Sequence, residues 1–197
     1  MASVLSLIQK MHWPVAGLGL GTPANLAVLS PRHRSSLGRI ALVALFIGIA
    51  AALLVLGLDQ ILFAGVSRER IKAVGDLPFG QRILIVLFSA VTEELIYRLG
   101  AATLVASVTF LTLRRTTRHA AQISIWLGIL VACILFGLAH VGNLPNVPHP
   151  YLRAITLNGV AGLVLGWLYW FRGLEAAVLA HLAADATVYL VIASLLY

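Results

Sequence analysis

Along most of this chain apolar residues do not alternate with polar ones; they come in long runs. Five such segments, about Ile40–Phe63, Ile83–Leu113, Ala120–His140, Tyr151–Phe171 and Leu174–Tyr197, are separated by short polar or basic connectors. A run of about 18 or more apolar residues marks a spanning helix, because about 20 residues at 1.5 Å rise cross a hydrocarbon core of about 30 Å. The pattern predicts an all-α fold: a polytopic transmembrane helical bundle of about five or six spans. The second segment is too long for one perpendicular crossing. It must tilt, project beyond the bilayer or break near Gly100, and a break would supply the sixth span. Residues 1–39 are mixed, with Trp13, Pro14, Pro23 and Pro31 followed by Arg32, Arg34 and Arg39. They read as an N-terminal interfacial segment on the membrane surface, with residues 40–197 forming the bundle.

The connectors have characters of their own. Ser67–Arg82 is basic, Arg114–His119 reads RRTTRH, and Arg172–Gly173 is a tight turn. Val141–Pro150 contains Pro145, Pro148 and Pro150, which favour irregular backbone. Small residues at four-residue spacing, Gly162 with Gly166 and Ala176 with Ala180 and Ala184, predict close helix packing. Trp167 and Trp170 read as interfacial belt residues.

Composition narrows the class. Apolar residues make up 60% of the 197 and charged residues 11%, against about 45–50% and about 25% in soluble domains. A soluble globular enzyme and a disordered polypeptide are both excluded. The net charge of +7 sits almost wholly between the apolar runs, so it predicts topology signals and contacts with anionic headgroups rather than a nucleic-acid partner. With five crossings, eight Lys and Arg residues fall on the N-terminal side and five on the other (Arg68, Arg70, Lys72, Arg82 and Arg153). That count favours an N-terminus inside. The single cysteine, Cys133, allows no internal disulfide and no CxxC metal pair. The first residues lack a basic stretch before their apolar run, so no cleaved signal peptide is expected.

Ionisable groups inside apolar spans are costly and are candidates for function. Six stand out on three segments: Glu93, Glu94 and Arg98; His140; His181 and Asp185. Glu94 and Arg98 are four residues apart and share a helix face, which predicts an internal ion pair. Glu93 points about 100° away, its i+4 neighbour is Tyr97, and it needs a partner from another helix. His181 and Asp185 also share a face. Familiar hydrolase signatures are missing: there is no GxSxG, no GxGD and no HExxH. Cys133 lies about 10.5 Å from His140 along a helix axis, too far to be activated by it. What remains is a carboxylate with imidazoles. Such a set can activate water for attack on a carbonyl and stabilise the oxyanion. Two other readings stay open: a zinc site with Glu93, His140 and His181 as ligands, and a scaffold or immunity membrane protein without turnover. One geometric demand accompanies all of these. His140 ends the third segment while His181 lies about seven residues into the last, so their meeting requires tilt, a short fourth helix or an irregular Val141–Pro150 loop.

EExxxR (Glu93, Glu94, Arg98), FxxxH (Phe136, His140) and HxxxD (His181, Asp185), in that order on separate apolar segments, resemble the CAAX-protease and bacteriocin-processing family of intramembrane proteases, which includes the type II CAAX prenyl endopeptidases. The resemblance covers about residues 80–190. It implies a glutamate-dependent peptidase using neither metal nor other cofactor, in a multi-pass protein of a bacterial plasma membrane. Its partners would be the lipid bilayer and a membrane-anchored protein or peptide cut in its C-terminal region. By the same resemblance Glu93 is the catalytic glutamate and His140 its partner in activating water. His181 and residue 185 line the oxyanion site, while Glu94 and Arg98 support the motif helix. Position 185 is Asp where the CAAX endopeptidases carry Asn. An ionised Asp would repel an oxyanion, so Asp185 is expected to orient His181 instead.

Overall fold

The structure, a computed structural model, describes residues 37–143 and 147–197. The expected N-terminal interfacial segment, up to residue 36, lies outside the described residues, as do residues 144–146 of the proline-bearing loop. Six helices follow one another: α1 (Leu37–Leu62), α2 (Ser67–Gly75), α3 (Phe79–Leu113), α4 (Ala120–Ala139), α5 (Pro150–Arg172) and α6 (Leu174–Leu196). All but α2 are long and apolar enough to cross a membrane, and no strand occurs among the described residues. The protein is an all-α polytopic bundle, with five candidate spans among the described residues.

The long second segment does not break. Helix α3 runs for 35 residues, about 52 Å at 1.5 Å per residue, well beyond the thickness of the hydrocarbon core. Around Gly100 it loosens instead: Glu94–Ala102 form a π-helical stretch, closed by the Thr103 N–H bonding back to the Arg98 carbonyl. Helix α6 does the same over Ala186–Ile192.

The basic connector after α1 is more ordered than its sequence suggests. It contains α2, which buries Ile71 and Val74, and the first turn of α3. Asp59, near the end of α1, is buried and receives the Ser67 N–H at 2.8 Å. Arg153, in the first turn of α5, donates from Nε to Asp59 Oδ1 at 3.0 Å and from Nη2 to Ser67 Oγ at 2.7 Å. Arg153 is therefore the ion-pair partner of the buried Asp59, which the topology count did not foresee. One carboxylate ties the ends of three helices.

Packing follows the logic of a lipid solvent. Large side chains such as Phe46, Phe88 and Leu104 face outward, and small ones let backbones approach where helices meet. A Cβ on Gly48 of α1 would collide with the Ala180 backbone of α6. On Gly162 it would stand 3.1 Å from Cys133 Sγ, and on Gly166 2.9 Å from the Ile129 side chain. Both predicted small-residue ladders thus sit at helix contacts. Gly173, at φ +109°, makes the turn between α5 and α6, where a side chain would be strained. Trp167 is partly exposed, whereas Trp170 is buried against Tyr169; Trp170 belongs to the core rather than to an interfacial belt.

Candidate active site

One cavity of about 370 Å³ lies among α1, α2, α3, α4, α5 and α6. Its walls repeat helical spacing. Ile85, Ser89, Glu93 and Tyr97 come from α3 at four-residue intervals, and His181, Asp185 and Tyr189 from α6 likewise. Phe136 and His140 enter from the end of α4, and Gly48, Ala51 and Ala52 of α1 close one side without filling it.

The structure brings the six sequence-predicted residues together. Glu93 Oε1 lies 3.9 Å from His140 Nε2, and Glu93 Oε2 lies 3.7 Å from His181 Nε2. Both separations are too long for direct hydrogen bonds and short enough for a single water to touch both groups. Asp185 Oδ2 stands 3.7 Å from His181 Nε2 and accepts a 2.6 Å hydrogen bond from Ser89 Oγ. The two histidines meet despite their places on the helices: His140 lies just beyond the end of α4, yet its ring and that of His181 both pack against Phe136, at 4.6 and 6.1 Å between centroids.

Local chemistry fixes one imidazole. His140 Nδ1 donates to the Phe136 carbonyl at 2.8 Å, which leaves Nε2 toward Glu93. In a neutral ring that nitrogen carries the lone pair.

Glu94 behaves differently from its neighbour. It does not reach the cavity; it is fully buried, with Oε1 3.1 Å from Arg98 Nη1 and 2.8 Å from His181 Nδ1. The expected ion pair exists, and it also holds the second histidine. The group hydrogen-bonded to the His181 ring is thus Glu94, while Asp185 faces the ring's other nitrogen at longer range. Arg98 is itself boxed in: its guanidinium lies over the Phe136 ring at 4.7 Å and Nη2 donates to the Gly162 carbonyl at 3.4 Å. Glu93 is turned to the cavity and Glu94 to the protein interior, and a π-helical stretch begins at Glu94. Such stretches recur at functional sites. Thr103, just past it, bonds the Arg98 carbonyl and the Tyr169 hydroxyl, at 3.1 and 2.7 Å.

Ser89 and the Asp59–Arg153 pair went unnoticed in the sequence. Ser89 sits one turn before Glu93, and Asp59 is an acid inside an apolar run, so spacing and burial cost could have flagged both. Among the described residues no three His, Cys, Asp or Glu side chains are grouped as a metal ion would need.

A family model, Type II CAAX prenyl endopeptidase Rce1-like, matches residues 76–187. That is more than half of the chain and takes in all six residues. No curated protein and no solved structure matches the chain.

Proposed function

The chain belongs to the Type II CAAX prenyl endopeptidase Rce1-like family, and from that premise we propose that it cuts a peptide bond with a water activated by Glu93 and His140. Family membership makes it a multi-pass membrane protease acting on a peptide. The glutamate mechanism and the roles below are our reading.

The observation that carries the reading is the pair of gaps around Glu93, 3.9 Å to His140 and 3.7 Å to His181, inside a cavity large enough for a peptide segment. Glu93 and His140 Nε2 are both acceptors. A water between them donates one hydrogen to each and keeps a lone pair free for the carbonyl carbon. As the C–O bond forms, the water's proton passes to Glu93. As the tetrahedral intermediate collapses, that proton goes to the departing amine nitrogen, and the products are a carboxylic acid and an amine. The developing oxyanion needs a donor. His181 Nδ1–H donates a hydrogen bond to Glu94, so Nε2 also donates only when the ring is an imidazolium; Glu93, Glu94 and Asp185 surround it with the opposing charge. Asp185, anchored by Ser89, balances the charge of this ring, which Glu94 orients, rather than touching the oxyanion. Cleavage within the C-terminal region of a membrane-associated protein or peptide fits a cavity enclosed by spanning helices.

The test is peptide cleavage by purified full-length protein, read by mass spectrometry. Glu93→Gln removes the proton acceptor and lowers turnover by about 10²–10⁴-fold. Protein stripped by chelator, with metal content verified, keeps its activity. Undiminished cleavage by Glu93→Gln overturns the mechanism, and activity that vanishes on stripping and returns with zinc replaces it with the metalloprotease.

A further inference from the structure

We propose that Arg70 is the anion-binding group of this cavity and holds a carboxylate on the substrate segment that lies toward α2. The inference rests on the peptidase reading and adds to it what the substrate must carry.

Of the two arginines that line the cavity, Arg153 is in contact with a carboxylate and Arg70 is not. Asp59 is matched by Arg153 and Glu94 by Arg98. Arg70 lines the cavity from α2, is half-buried, and makes no ion pair with any carboxylate among the described residues. Tyr189 lines the cavity with it, and the Arg70 Nε is buried with no acceptor. A guanidinium in this setting has given up water on one edge without a countercharge in contact, an arrangement that a bidentate carboxylate completes. Its neighbours Arg68, Glu69 and Lys72 are exposed, so α2 turns this one cation inward with Ser67 and Ile71.

Placement also suits a substrate anion. Tyr189 lies two turns beyond His181 on α6, roughly 12 Å along the axis at about 1.5 Å per residue. An anion bound there stands two turns from His181 and the reacting carbonyl, with Asp185 one turn from Tyr189 on the same helix, so the Arg70 guanidinium must outweigh that carboxylate. The chemistry is a carboxylate, and two sources supply one: the free C-terminus of the substrate or an Asp or Glu side group within it.

Full-length protein in nanodiscs is given matched apolar peptides in three forms: C-terminal acid, C-terminal amide, and amide with one Asp in the leaving segment. Wild type favours a carboxylate-bearing form over the plain amide by about 10- to 100-fold in kcat/KM, the range of a charge-assisted hydrogen bond. Which of the two charged forms is favoured identifies the source. Arg70→Gln brings the ratio near one. If Arg70 only balances Glu93 and Asp185, this variant slows all three peptides alike and the ratio persists, which overturns the proposal, as does a wild type without preference. Should Arg70→Gln fail to fold, Arg70→Lys keeps the charge and loses the fork, and a ratio equal to wild type there also overturns it. Binding of the labelled peptides to Glu93→Gln, alone and with Arg70→Gln, separates this from the hydrolase reading. Acid-selective binding that Arg70→Gln abolishes supports the anion site even if wild type cuts nothing. Cleavage without such selectivity refutes the anion site and leaves the hydrolase reading standing.

Discussion

Glu93 and Glu94 are adjacent carboxylates in opposite situations, and that difference is measurable. Glu94 is fully buried between Arg98 and His181. Removing one member of a buried pair leaves an uncompensated charge, at about 3–5 kcal/mol, so Glu94→Ala lowers thermal stability in detergent steeply along with activity. Glu93 makes no direct hydrogen bond, and Glu93→Gln leaves stability within about 1 kcal/mol of wild type while cleavage is lost. Thermal unfolding of both variants decides: if they unfold alike, the division of labour fails. Asp185→Asn keeps an acceptor for Ser89 Oγ and loses only the charge beside His181. Turnover should fall about tenfold, or about 1.4 kcal/mol, and not vanish; complete loss in a folded variant would make the charge itself essential. At this scale the sequence was informative because ionisable groups are rare in apolar spans and each marks a site. It separated Glu93 from Glu94 by helical phase alone. It misjudged which acid holds His181, because i,i+4 spacing pointed to Asp185 and the contact with Glu94 crosses between helices.

The spanning elements were legible to within a few residues, since hydrophobic runs report length directly. Their internal geometry was not. Nothing in the hydropathy of Ile83–Leu113 distinguishes a break at Gly100 from the π-helical loosening over Glu94–Ala102, and α2 was hidden because a nine-residue amphipathic helix resembles a basic connector. The contact between α1 and α6 likewise needed coordinates: Gly48 reads as one small residue among many, yet it is where the two backbones touch. Gly48→Leu must push α1 off α6 and widen the cavity, destabilising the fold by about 1–3 kcal/mol or more. Gly57 lies on the same helix with open space where its Cβ would be. Gly57→Ala should be neutral or stabilising by up to about 1 kcal/mol. Equal thermal stabilities for the two variants would mean that the close approach at Ala180 contributes nothing.

Orientation in the bilayer belongs to the molecule as a whole. Counting all basic residues gave a narrow margin, but a cation engaged inside the fold is a poor topology signal. Arg153 is spent on Asp59, Arg70 faces the cavity, and Arg82 reaches Ser194 Oγ at 2.8 Å. At the α2 end this leaves Arg68 and Lys72 exposed, and Lys72 is partnered by Asp76 at 2.9 Å. At the opposite end Arg39, Arg114, Arg115, Arg118 and Arg172 are all exposed. The asymmetry is therefore steeper than the sequence count, and it predicts that the N-terminal end of α1 and the α3–α4 connector face the cytoplasm, with α2 and the Asp59–Arg153 latch on the far side. The native protein suits a direct check, since Cys133 is its single cysteine and is buried. With a membrane-impermeant maleimide on intact cells, Arg68→Cys should label at once and Arg118→Cys only after lysis. The opposite pattern would invert the molecule and turn the α2 face, with Arg70 behind it, toward substrates in the cytoplasm.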